Sequence, residues 1–454
     1  MKFIFILSLI FNCCWATSID KFYGDKVSPS DFLFEAKILK FLGGNFNLRN
    51  LPSNLSAAIK NDIQGQLKYL IGLYGSENMN ENFHFYGSPA EVDSFEITLL
   101  KIEKTKNSSY SSITYLAKGK MLFSASAFRN QDSIEVPLIL PLIPASIFSS
   151  LKTAEARRQC ADNHPVEYYD FFYYWSPFSK ECQSNIPESL VIKTFARAKR
   201  TSSTIKSYPE YNRLYKKGQE NRELKISIFM GYMEKNLSKK LLIENDNAFL
   251  NYQRLSEVLS TNGAILEEEN KWFKGKKGIG INQRKLFYKE VFNKFGEKMK
   301  VSIEVLLSNT DLYTGDGTFH QVLAKAYKDS DVVIYDGHAG LGANLSLSKL
   351  PVKIQFDLNK YQIFYFNSCS SYPYYNLTYF KKKGGPANLD IITSGLSTLS
   401  GSSIGNTLAL ILPMINGELK SYQEIIKNIE LSNPPSFPAL VAVNGDEDNL
   451  FFLP

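Results

Sequence analysis

The sequence predicts an α/β domain behind a smaller α+β or mostly-β one, and three observations support this. Between residues 224 and 454 short apolar runs alternate with segments of helical period, the pattern of strands joined by crossover helices. Two of the runs, Val332–Tyr335 and Ile363–Phe366, are apolar at every position, as strands buried on both faces of a parallel sheet are. Upstream, from Ser94 to Phe148, the texture changes to strand–turn–strand, with Lys106–Tyr110 among the turn-forming pieces.

Six strands follow from the first observation. They are Leu224–Tyr232, Lys300–Leu307, Val332–Tyr335, Ile363–Phe366, Asp390–Leu396 and Ala439–Gly445. Helices are expected at 246–262, 318–327, 404–415 and 421–429 from their apolar spacing. The basic stretch Lys271–Lys285 reads as an exposed loop. In the front half, Ile59, Ile63, Leu67, Leu70 and Ile71 form a helical stripe.

The amino terminus carries Lys2, an apolar run from Phe3 to Phe11 and a small residue at Ala16, which reads as a secretory signal peptide over residues 1–17. The run is too short to span a bilayer, and no later stretch reaches about 18 continuous apolar residues. An exported protein, periplasmic or extracellular, with no transmembrane segment in its mature chain is therefore expected. The predicted organisation is a front domain over 18–195, a basic linker over 196–223 and the α/β domain over 224–454.

Export governs how the five cysteines read. Cys13 and Cys14 leave with the signal, Cys160 and Cys182 are the natural disulfide partners, and Cys369 is the odd thiol. Between Cys160 and Cys182 lie Tyr168, Tyr169, Phe171, Phe172, Tyr173, Tyr174 and Trp175. Packing between domains explains such a cluster more economically than an exposed binding face. The net charge of +7 is spread along the chain, so no nucleic-acid partner is needed to explain it. His84, His164, His320 and His338 show no ligand spacing, so neither a metal nor another cofactor is expected.

Both fully apolar strands end in small, turn-forming residues, and each delivers one reactive side chain there. Tyr335-Asp336-Gly337-His338-Ala339-Gly340 follows the first, and Phe366-Asn367-Ser368-Cys369-Ser370-Ser371 the second. Ligands of open α/β sheets bind at the carboxyl ends of the strands, so a thiol and an imidazole are candidates to meet there. Asp336 is placed to orient His338 or to line a pocket. The carboxylates Asp446, Glu447 and Asp448 would share that edge only if the last strand ran parallel to the others.

In the order of these parts residues 222–454 resemble the caspase-like cysteine peptidases, the clan of caspases, legumains, gingipains and separase. The resemblance implies a mostly parallel six-strand sheet with flanking helices and a Cys369–His338 dyad acting on a protein or peptide substrate. Backbone support for the oxyanion would come from around Gly337 and Ala339. The sequence departs from the pattern in carrying Ala339 where a glycine usually follows the histidine. Two other functions stay open: an inactive domain of this kind used as an exported binding module, and a Cys–His amidase or transpeptidase acting on cell-envelope material. The sequence leaves the oligomeric state undetermined.

Overall fold

The computed structural model describes residues 26–44, 46–105, 109–129, 131–201, 206–233, 245–274, 281–313, 315 and 317–453. The signal-peptide expectation falls on residues outside this set.

The front of the chain is an antiparallel sheet built from β1 (Val27–Phe41), β2 (Gly87–Pro89), β3 (Glu96–Lys104), β4 (Tyr110–Ser124), β5 (Ser133–Pro141) and β6 (Val191–Arg200). The strand order is β2-β4-β1-β6-β5, with β3 also paired to β4. Along β1 the residues Phe32, Phe34, Ala36 and Ile38 are buried while Leu33, Glu35 and Lys37 are exposed, the period-two pattern of a sheet with one wet face. The helices Ser53–Leu67 and Tyr69–Gly75 add Ile59, Ile63, Leu67, Leu70 and Leu73 to the core on the buried face. The aromatic segment packs into the same core through Phe171 and Trp175, which are fully buried. Its disulfide joins Cys160 to Cys182 with Cα atoms 4.7 Å apart.

The rest of the chain forms a second sheet from β7 (Glu223–Gly231), β8 (Ile265–Lys274), β9 (Ile281–Phe292), β10 (Lys298–Ser308), β11 (Val332–Asp336), β12 (Gln362–Asn367), β13 (Leu389–Ser394) and β14 (Val441–Asn444). Its order is β14-β13-β12-β11-β7-β10-β9-β8. Helices Asn247–Thr261, Ser403–Ile415 and Tyr422–Leu431 bury their apolar sides on one face. Thr318–Asp329 and Leu377–Lys383 cover the other.

This corrects the expected fold class. The sheet is eight-stranded and mixed, not a mostly parallel caspase-like sheet of six, and the front domain is a full antiparallel sheet. Among the described residues only β10–β7, β7–β11, β11–β12 and β12–β13 pair in parallel. The other eight pairings are antiparallel, so antiparallel pairing dominates the chain. The missing strands are β8 and β9, a charged hairpin lying across the segment read as a basic loop. Lys285 faces Glu269 across the β8–β9 ladder, and Arg284 of β9 reaches diagonally to Glu304 on β10. Such cross-strand ion pairs stabilise a strand without an apolar run, and hydrophobic patterning misses them. The linker expectation also meets ordered structure. Ala196–Arg200 complete β6, and Tyr208, Tyr211, Leu214 and Tyr215 belong to the core of the second sheet.

The two halves share one apolar seam. Val27 and Leu122 from the first pack with Tyr372, Leu396, Leu440 and Ala442 from the second. Beside it, the buried Glu91 carboxylate accepts hydrogen bonds from the backbone N–H groups of Asn376 and Leu377, the latter at 2.6 Å.

Candidate active site at the ends of two parallel strands

β11 and β12 are neighbours and run in parallel, with Asp336 opposite Asn367 in the register. Adjacent strands lie about 4.8 Å apart. His338 and Cys369 each stand two residues beyond that last pair, so the register brings the two strand ends to the same level of the sheet. Both strands are buried along their whole length, so this edge is where the chain first reaches solvent. His338 is exposed there and Cys369 half-buried.

The histidine turn is held by its own backbone. The Tyr335 hydroxyl donates to the His338 carbonyl at 2.7 Å, and Asn344 Nδ2 donates to the same oxygen at 2.8 Å. Tyr375 donates to the Ala339 carbonyl at 2.9 Å. Gly340 has φ +58°, and a Cβ there would come within 2.7 Å of the Asn344 side chain. Glycine therefore serves both the conformation and the clearance. Gly337 passes close to β7, where an added Cβ would lie 3.2 Å from Gly231 Cα.

The imidazole has an orienting partner that the sequence did not disclose. His338 Nε2 lies 3.1 Å from the carbonyl oxygen of Met233, just past β7. A carbonyl can only accept, so the hydrogen resides on Nε2, and the neutral ring keeps Nδ1 as its basic nitrogen. Asp336 does not take this role. Its buried carboxylate bonds to Ser403 on the covering helix. Burial holds its pKa up at about 6, opposed by hydrogen bonds from Ser403 and Asn367.

Cys369 sits in a turn fixed from the neighbouring strand. Ser370 N donates to Leu396 O at 3.0 Å, Tyr372 N to Ser394 O at 3.0 Å, and Ser394 N to Ser371 Oγ at 2.8 Å. Ser370 takes a left-handed φ of +48°, a conformation that costs a residue with a Cβ roughly 1 kcal/mol. Cys369 Sγ has the Thr398 carbonyl at 3.9 Å as a weak partner. Among the described residues the backbone N–H groups of Ala339 and Cys369 donate to no protein acceptor. Thiol and imidazole are not hydrogen-bonded to each other here. Such contacts are often long until a substrate is bound.

The front domain reaches this site. The Tyr173 hydroxyl is 3.1 Å from Ser370 Oγ. Burial pushes that hydroxyl up to about 12, and the charge of a Cys369 thiolate adds to the effect. Tyr174, stacked on His164 at 4.5 Å, is raised by burial first, then by Asp170 and by Cys369. The sequence places this segment between domains but gives no sign of its contact with the turn that holds Cys369.

Other candidate groups lie elsewhere. β14 runs antiparallel to β13, with Asn444 opposite Ile391, so Asp446–Asp448 fall at the edge away from Cys369. Among the described residues no group of three His, Cys, Asp or Glu side chains is gathered as a metal site would require. No helix among them is long and apolar enough to cross a membrane. Compared with models of known protein families and with curated proteins, the chain matches none.

Proposed function

We propose that this protein is an exported cysteine endopeptidase that cleaves peptide bonds through a Cys369–His338 dyad. One observation supports the reading: the parallel register of Asp336 with Asn367 brings the turns that carry His338 and Cys369 to the same end of two adjacent buried strands. The Met233 carbonyl supports it by fixing the tautomer a base needs. The Cys160–Cys182 disulfide is in keeping with an oxidising compartment. The chemistry agrees with what the two motifs' resemblance to caspase-like peptidases implies.

The dyad would act in two halves. His338 Nδ1 takes the thiol proton, and Cys369 Sγ attacks the scissile carbonyl carbon. The N–H groups of Cys369 and Ala339 stand free to receive the oxyanion. The tetrahedral adduct collapses as His338 returns its proton to the leaving amine, leaving a thioester on Cys369. Water, deprotonated by His338, then releases the carboxylic acid and restores the thiol.

A panel of peptidyl electrophiles tests the reading, with adducts located by peptide mapping. Adducts confined to Cys369, slowed in His338→Ala, and peptide hydrolysis lost in Cys369→Ala are the expected results. Hydrolysis that persists in Cys369→Ala would overturn the assignment.

A further inference from the structure

The front domain's aromatic loop could have packed anywhere along the seam, yet one of its tyrosines lands beside the nucleophile. Tyr173 stands 197 residues before Ser370 in sequence, and its hydroxyl meets Ser370 Oγ at 3.1 Å. Ser370 follows the cysteine directly, in a left-handed conformation. The Thr398 carbonyl faces Sγ at 3.9 Å.

The support behind Tyr173 is rigid. At Gly72, on the helix Tyr69–Gly75, a Cβ would meet Trp175 N at 2.3 Å and Phe172 O at 2.6 Å, so helix and loop backbones are in direct contact. Trp175 Nε1 donates to Ile139 O at 3.0 Å, tying the loop to β5. The Asp162 carboxylate accepts from Ser176 at 2.8 Å and from the backbone N–H of Glu77 at 2.6 Å. The disulfide closes the segment. A residue held this firmly can impose a position on the turn it touches.

We propose that Tyr173 is a positioning residue for the nucleophile: through its hydrogen bond to Ser370 it holds the Cys369 turn in place, so the first domain is part of the catalytic apparatus. This rests on the peptidase reading. Tyr173 acts through Ser370 and takes no part in bond making. Small misplacements of a reacting group cost up to about a hundredfold in rate, so the loss of one positioning hydrogen bond should be visible.

The test is the pH profile of Cys369 alkylation by iodoacetamide in the full chain, for wild type, Tyr173→Phe, Ser370→Ala and the double variant. Thermal melting runs alongside. In each single variant the rate near pH 7 should fall about tenfold, as the profile moves toward that of His338→Ala. The double variant should lose no more than either single one, because both remove the same contact. Should Tyr173→Phe fold poorly, Ser370→Ala breaks the same bond from the other side and decides the matter. Profiles of both single variants that overlay wild type would overturn the inference and leave the dyad standing. A wild-type profile of an ordinary thiol, unaffected by His338→Ala, would instead overturn the peptidase reading, and the inference with it.

Discussion

His338 donates its Nε2–H to the carbonyl oxygen of Met233, 3.1 Å away and just past the end of β7, the strand that flanks β11 on the side opposite β12. β11 is thus flanked by an orienting acceptor on the β7 side and by the nucleophile-bearing β12 on the other. Histidine bases are commonly oriented by a buried carboxylate, and here a backbone carbonyl stands in that place. Because a carbonyl carries no charge, it fixes the tautomer with less stabilisation of an imidazolium than a carboxylate would give.

His338→Gln should therefore retain the fold, since the longer side chain's amide N–H reaches toward the same carbonyl as Nε2, while the basic nitrogen is gone. Melting temperature within a few degrees of wild type, with peptide hydrolysis reduced at least about a hundredfold, is the expected pairing. Calorimetry and a peptide assay measure the two.

Gly72→Ala should be among the most damaging single methyl additions in the front domain. Its Cβ would meet backbone atoms of Trp175, Phe172 and Tyr173 at 2.3, 2.6 and 2.9 Å, and backbone cannot rotate aside. Overpacking costs typically about 1–3 kcal/mol. Displacement of the loop should slow Cys369 alkylation as well. Urea unfolding and thiol labelling on the same sample check both.

Opening the Cys160–Cys182 bridge releases a loop whose ends are 22 residues apart. Loop-closure entropy puts the destabilisation at about 3 kcal/mol. Cys160→Ser/Cys182→Ser should lower the urea midpoint accordingly and should also lower the reactivity of Cys369.

Glu91 makes the domain seam sensitive to pH. Burial raises its pKa from 4.5 to about 7, against the hydrogen bonds from Asn376 and Leu377 that favour the charged form. Its folded pKa thus lies above its unfolded value, and the native state binds the extra proton between the two. This contribution to stability is present below pH 4.5, is lost as pH rises toward 7, and is flat above, up to about 3 kcal/mol over the window. Glu91→Gln keeps an acceptor for both N–H groups and removes the titration. Relative to wild type its stability should rise between pH 4.5 and 7, as read by urea unfolding at each pH.

The pieces of the site were legible where a local pattern forces them. Val332–Tyr335 and Ile363–Phe366 are apolar at every position because both faces of β11 and β12 are covered, and the turns after them hold the reactive residues. Cys160 and Cys182, close in sequence, read as partners in an oxidising compartment, which leaves Cys369 as the odd thiol. The hairpin β8–β9 was not legible, since its strands are stabilised by Lys285–Glu269 and Arg284–Glu304 rather than by apolar alternation. In β1 the alternation of Phe32, Phe34, Ala36 and Ile38 with exposed residues is itself a strand signal. Tyr208, Tyr211 and Tyr215, at helical spacing in a basic stretch, were the signal that residues 206–215 pack rather than link. Met233 and Tyr173 could not have been found: each acts at the site through a contact of more than a hundred residues' separation.

The most direct measurement is the rate of Cys369 alkylation by iodoacetamide across pH, in wild type and His338→Ala, with the labelled peptide identified. The dyad predicts rapid labelling of Cys369 near neutral pH, as expected of a thiol paired with a base, and much slower labelling in the variant. Labelling that is slow in both, with one shared profile of an ordinary thiol, would contradict it.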